Sequence, residues 1–100
     1  RAAGFALVAV FDPGVVAVAG IRIGEWLASG RCLEIEDLVT GDGERSRGHG
    51  GALFDWIVAY ARREQCVEVK LVSHVTRYAA HRFYLRKRMS IVAHFFSLPL

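Results

Sequence analysis

The sequence predicts an α/β fold of the α+β type: a mixed, mostly antiparallel sheet with a central β-α-β crossover. Three observations carry this. Short β-branched runs follow one another from the start of the chain, with turn residues between them. Just past a glycine cluster at Gly48, Gly50 and Gly51, the apolar period changes from two to three and four. An alternating segment and a second helical pattern come next, so strand, helix and strand stand in crossover order.

The elements follow in turn. Phe5–Phe11 is short, apolar and rich in strand formers. Asp12-Pro13-Gly14 is a turn, because proline presets one position and glycine accepts positive φ. Residues 15–23 form a second strand and close a hairpin. Residues 24–30 are a looser connection, with Trp26 and Leu27 expected to pin it to the core. Residues 32–40 make a third strand, with Leu33, Ile35 and Asp37 alternating against Glu34, Glu36 and Leu38. From Gly48 to about Glu64, the residues Leu53, Trp56, Ile57, Tyr60 and Ala61 mark one helix face. Residues 67–73 alternate as a half-buried strand, parallel to the third. Thr76 is the expected N-cap of a second helix lined by Ala79, Ala80, Phe83 and Tyr84. Residues 91–98 read as a final strand before Pro99.

Bulk properties narrow the function classes. One hundred residues fit one domain over 1–100, and 53% hydrophobic with 23% charged residues is the composition of a folded globular chain. The net charge of +3 gathers at Arg45/Arg47 and at 82–88, where phosphate of a small molecule serves as well as a nucleic-acid backbone. Nucleic acid is the weakest reading. Cys32 and Cys66 match neither a metal spacing nor a disulfide framework, which points to free thiols in a reducing cytoplasm. No apolar run reaches the roughly 18 residues that span a bilayer. The histidines form no helical metal pair, so no metal is expected.

The segment Arg45-Ser46-Arg47-Gly48-His49-Gly50-Gly51 opens the first helix. A helix N-terminus presents unpaired N–H groups and partial positive charge, and both suit an anion. Glycines let a phosphate approach those amides, and the two arginines add charge-assisted hydrogen bonds. No Gly-Lys-Ser/Thr follows, so this is not an ATP-binding P-loop. Taken alone, the cluster is also compatible with a flexible turn.

Arg45-Ser46-Arg47-Gly48-His49-Gly50 resembles the Arg/Gln-x-x-Gly-x-Gly loop of the GNAT superfamily of N-acetyltransferases. Residues 33–40 resemble that family's fourth strand, and Ala80-His81-Arg82-Phe83-Tyr84 is similar to its later Ala-x-x-Phe-Tyr helix. The three occur in the family's order. The resemblance implies an acyl-CoA N-acyltransferase fold lacking the first strand and two helices, with acetyl-CoA as co-substrate. It assigns Leu38, Val39 and Thr40 to main-chain contacts with the pantetheine arm. It gives the pyrophosphate to Arg45, Ser46, Arg47, Gly48, His49, Gly50 and Gly51, and later cofactor contacts to Ser73 and Arg77.

The implied chemistry is direct attack of a primary amine on a thioester. An alkylamine with a pKa of about 10.4 is mostly protonated at neutral pH, so a base is required. Glu36 matches the acidic position of polyamine acetyltransferases, and Glu34 the base position of histone acetyltransferases. By pattern alone both are solvent-facing strand residues. Tyr84 matches the tyrosine that protonates the departing thiolate; by pattern alone it is core packing. A main-chain N–H near Val39 would meet the oxyanion.

Two departures stand out. The chain starts at what resembles the family's second strand, so apolar surface is expected to be exposed and self-association into a homodimer is one outcome. Arg88-Met89 occupies the place of the family's glycine-phenylalanine, so a strained left-handed cap is expected at Arg88. Three readings follow: an acetyltransferase acting on a small-molecule or peptide amine, a CoA-binding module without catalysis, and a basic nucleic-acid binder.

Overall fold

The computed structural model describes residues 5–11, 14–40 and 48–100. Its elements run β1 (Phe5–Phe11), β2 (Val15–Trp26), β3 (Gly30–Thr40), α1 (His49–Arg63), β4 (Glu68–Leu71) and α2 (Tyr78–Arg86). The strands lie in the order β1-β2-β3-β4. The first two pairings are antiparallel and β3–β4 is parallel, with α1 as the crossover. The mixed sheet expected from the sequence is thus present. Asp12 and Pro13 lie outside the described residues, whereas Gly14 shows the positive φ (70°) expected of it.

The core forms between one sheet face and α1. Ala17, Ala19 and Ile21 of β2, Leu33 and Ile35 of β3, and Leu53, Phe54, Ile57 and Ala61 of α1 make one buried cluster. Leu33 and Ile57 are fully buried, and each such side chain contributes roughly 1.5–3 kcal/mol of transfer free energy. The helix face is rotated from the one expected. Phe54 is buried, while Trp56 is 44% exposed and stacks on Tyr60 at a ring separation of 5.2 Å. Phe54 wins the core position because it meets Phe83 of α2 edge to face at 5.9 Å.

Strict alternation in β3 also fails. Gly20 pairs with Asp37 and Ile21 with Ile35, so Glu36 is an extra residue in the ladder. The phase slips there by one. Leu38 turns to the helix face, where it packs against the core, and Asp37 stands opposite Gly20 on the other face. Trp26 belongs to β2, with the Lys70 ammonium 3.7 Å from its ring, whereas Leu27 is fully exposed and pins nothing. The second helix begins at an Arg77 cap instead of Thr76, with no side-chain cap bond; Thr76 instead meets His74 Nδ1 through its hydroxyl at 2.9 Å.

The expected final strand is absent. Residues 91–100 form no strand and every one is exposed. Strand propensity needs a neighbour to hydrogen-bond with, and this segment meets none among the described residues.

Both helices end in the same hydrogen-bond pattern. In α2, Arg88 N–H donates to Leu85 C=O at 3.0 Å and Met89 N–H to Tyr84 C=O at 3.1 Å. In α1, Gln65 and Cys66 donate to Arg62 and Ala61 at 3.1 and 2.9 Å. This is the Schellman arrangement, whose residue after the cap is left-handed and usually glycine. Here it is Gln65 (φ 63°) and Arg88 (φ 71°). A side chain in that region costs about 1 kcal/mol or more, part of which glycine would return through unfolded-chain entropy. Arg88→Gly should therefore raise Tm by about 2–4 °C in a thermal melt. An unchanged or lower Tm would show that the cap is unstrained.

Candidate active site

β3 and β4 pair only from Cys32 opposite Glu68 to Ile35 opposite Leu71. β3 then continues to Thr40 held from one side by β2, while β4 ends at Leu71. A strand bonded on one side presents its remaining N–H and C=O groups on the other. Leu38, Val39 and Thr40 therefore offer main-chain groups to a gap between the parted strands. The leucine's side chain goes to the core, so only its backbone faces this role.

The N-terminus of α1 stands beside that gap. Gly48 caps it in the left-handed conformation (φ 80°), and its carbonyl accepts the first intrahelical bond, from Ala52 N–H at 2.9 Å. By helix geometry the amides of Gly50 and Gly51 precede that bond and have no carbonyl partner within the helix. No acidic residue occupies the first turn, so the positive end of the helix dipole is not offset there. The three glycines do different things. A Cβ on Gly48 would meet nothing within 4 Å, so its backbone is open. A Cβ on Gly50 would lie 3.2 Å from Thr40 Cγ2 and 3.7 Å from Leu38 Cδ2, which is how the helix comes down on β3. A Cβ on Gly51 would lie 3.4 Å from Lys87 Nζ. Arg45, Ser46 and Arg47 lie outside the described residues.

Lys87, which the sequence reading did not single out, stands beside the start of α1. Its ammonium reaches back from the end of α2 to Asp55 at 2.9 Å, beside the first turn of α1. A basic residue just past a helix gives no sequence signal of its own, since only the α1–α2 packing sets its target. Ser73 follows β4, and its hydroxyl oxygen is buried with no hydrogen-bond partner among the described residues. A buried hydroxyl left unpaired costs about 1–3 kcal/mol, so a partner there is favoured.

Tyr84 is half-buried on α2 and packs against the core cluster. Burial pushes its phenol up from 10.0, Arg77 pulls it down, and Asp37 pushes it up again. The phenol therefore stays protonated at neutral pH, and both charged groups lie within electrostatic reach of it. That places Tyr84 of α2, Arg77 at the cap of the same helix and Asp37 of β3 around one region.

On the helix-free face, Phe5, Leu7, Val18, Gly20, Glu36, Asp37 and Val39 line a groove of about 290 Å³. Glu36 forms an ion pair with Arg22. Glu34 stands opposite Arg22 of β2 and Lys70 of β4. Asp37 makes no ion pair with another described residue. The slip at Glu36 was readable in principle: two adjacent acids followed by Leu38 break the period of two.

No group of three metal-ligating side chains occurs among the described residues. Cys32 and Cys66 are free, and burial pushes both thiols up. None of the described helices is long and apolar enough to cross a membrane.

A sheet that opens between two parallel strands beside a helix N-terminus is the hallmark of the acyl-CoA N-acyltransferase fold. The model of the acetyltransferase (GNAT) family matches residues 1–89, and the chain belongs to that family. It is accordingly a transferase. A transcriptional regulator from Bacillus halodurans C-125 has a similar structure, with a TM-score of 0.89 and 19% identity over 100% of this chain and 69% of that one. A putative acetyltransferase from Agrobacterium tumefaciens str. C58 gives 0.84 and 25% over 99% and 71%. An aminoglycoside acetyltransferase from an uncultured soil metagenomic sample gives 0.79 and 16% over 99% and 69%. No curated protein matches significantly.

Gly48→Ala should cost about 1 kcal/mol, because alanine enters the left-handed region at the cap. A thermal melt checks this, and an unchanged Tm would show that the backbone there relaxes freely.

Proposed function

We propose that residues 1–100 form one core that transfers an acetyl group from acetyl-CoA to a primary amine of a small molecule or peptide. The observation that carries this reading is that β3 runs on to Thr40 after β4 ends at Leu71, with the α1 N-terminus packed on that free stretch through Gly50. Acetyl-CoA would supply the thioester carbonyl that the amine attacks. The residues fit such a guest: a Cβ at Gly48 would meet nothing within 4 Å, and Ser73 offers a buried hydroxyl with no partner among the described residues. Leu38, Val39 and Thr40 would bind the pantetheine arm through main-chain groups. The first-turn amides of His49, Gly50 and Gly51 would hold the pyrophosphate, with Arg45, Ser46, Arg47 and Lys87 supplying further polar contacts. Ser73 and Arg77 would contact the rest of the cofactor.

Glu36 is the proposed base and Glu34 its alternative, each taking the ammonium proton directly or through a water. The N–C bond forms as the C–S bond breaks, Tyr84 gives its proton to the departing sulfur, and the second proton shed by the acylated nitrogen restores the phenol through solvent. A main-chain N–H near Val39 meets the charge that develops on the carbonyl oxygen. Asp37, with no ion-pair partner among the described residues, is suited to hold a cationic acceptor. The two free thiols fit a reducing cytoplasm.

One observation favours a second reading, a module that binds CoA without catalysis: the Glu36 carboxylate is already engaged by Arg22. Two measurements separate them. Acetyl-CoA at a hundred times its Kd should stabilise the fold by about 2.7 kcal/mol in a thermal shift, under either reading. Release of free thiol with a panel of amines should occur only under the first. Tyr84→Phe and Glu36→Gln should each lower kcat by roughly 10²-fold or more while leaving the acetyl-CoA shift intact. Turnover untouched in both variants would overturn the catalytic assignment, and no shift with acetyl-CoA would overturn both readings.

A further inference from the structure

Lys87 links the end of α2 to the start of α1. Its own N–H closes α2, donating to the carbonyls of Phe83 and Tyr84 at 3.1 Å, and Met89, two residues on, packs against the core cluster. The side chain therefore leaves from a fixed place. It runs across Gly51, where a Cβ would lie 3.6 Å from Lys87 Cε and 3.4 Å from Nζ. The ammonium ends on Asp55, 2.9 Å from one carboxylate oxygen and 3.2 Å from the other. Gly51 and Asp55 stand one turn apart on the same stripe of α1. The cation thus has the helix start on one side and the carboxylate on the other.

The two partners are not held alike. The Lys87 side chain is 27% exposed and that of Asp55 67%. The lysine is the settled member, and the aspartate is the one free to turn into water. An ion pair this exposed holds weakly. The helix start, meanwhile, carries partial positive charge, and a cation beside it is unfavourable. No acidic residue in the first turn of α1 offsets the ammonium. Helix-start amides and a lysine meet at one point, and a group with two negative charges relieves that pattern where a neutral group does not.

We propose that Lys87 is a movable phosphate ligand, exchanged between Asp55 and the diphosphate of the acyl-CoA cofactor, and that Asp55 thereby sets how tightly the cofactor is held. On binding, the ammonium leaves the carboxylate for a phosphate oxygen at the first-turn amides, and the Asp55 side chain turns into solvent. A charge-assisted bond to phosphate is stronger than an exposed ion pair, so the exchange is favourable. It is less favourable than it would be for a lysine with no partner to leave. This inference rests on the cofactor reading above and adds to it the pair of residues that tunes affinity.

Titration calorimetry of coenzyme A into the chain and its variants tests the exchange. Lys87→Met should weaken binding roughly 10-fold or more, and Lys87→Arg should restore most of the loss, because a guanidinium also serves phosphate. Asp55→Asn should tighten binding by roughly 2–5-fold, the worth of an exposed ion pair. Damage to the fold would not tighten anything. In the Lys87→Met background the Asp55→Asn gain should vanish. Binding by Lys87→Met within about twofold of the wild type would overturn the proposal, as would Asp55→Asn without tightening. An equal gain from Asp55→Asn with and without Lys87 would overturn it too, since the aspartate would then repel the anion directly. A wild-type chain that takes up no coenzyme A would sink the cofactor reading itself, and this inference with it.

Discussion

Glu36 has no counterpart in the β2–β3 ladder, and that one unmatched residue decides how the rest of the molecule is arranged. A bulge bends its strand and sharpens the local twist. Here it falls one residue past Ile35, where pairing with β4 ends. The bulge also shifts the phase of β3, so that Ile35 and Leu38 both reach the helix face although they are three residues apart. Without the slip, one of them would leave the core and Asp37 would enter it, at the cost of burying an unpaired carboxylate. Core packing and the opening of the sheet are therefore one event.

The helix beside that opening serves both as clamp and as cradle. Leu53, Phe54, Ile57 and Ala61 fix α1 against β2 and β3, and Gly50 allows its first turn to touch Thr40 and Leu38. The glycines are thus not equivalent supports for an anion. Gly50 is required by close packing and Gly48 by its backbone angle, while the free amides belong to any helix start. What is particular here is their position, fixed by burial several residues further along. The Lys87–Asp55 pair places a cation at the same turn. It is partly exposed and adds little to stability, so its interest lies in where it puts the charge.

Much of this was legible in the residues. Period and turn chemistry marked every described strand and helix, and the loop, the acidic strand and the Ala-x-x-Phe-Tyr helix together carried the family. Arg88 in place of glycine gave the left-handed cap at its residue number. What escaped was set by tertiary contact. Trp56 and Phe54 fit the helical period almost equally, and only the position of Phe83 on α2 chooses between them. The slip at Glu36 left its trace in an acid pair followed by leucine, which strict alternation overlooks. The segment at 91–98 has the composition of a strand but no strand neighbour among the described residues, and pairing is a tertiary matter that composition does not encode.

Charge on the helix-free face extends the same logic. Glu34, in the stretch of β3 still paired with β4, and Glu36 and Asp37 just beyond it bring three carboxylates against the cations of Arg22 and Lys70 on the neighbouring strands. Glu36 is held by Arg22, and Glu34 lies between Arg22 and Lys70, so the set is nearly balanced by strands that flank it. Asp37 is the remainder. The bulge turns it into a groove walled by Phe5, Leu7, Val18 and Val39, where apolar walls lower the local dielectric and strengthen any charge pair formed inside. A free cation with an aliphatic or aromatic body meets both demands of that groove, charge for Asp37 and apolar surface for its walls. The same residue also acts on the phenol of Tyr84. Burial is the largest influence on that phenol and Arg77 the next, so Asp37 acts on it only as the third.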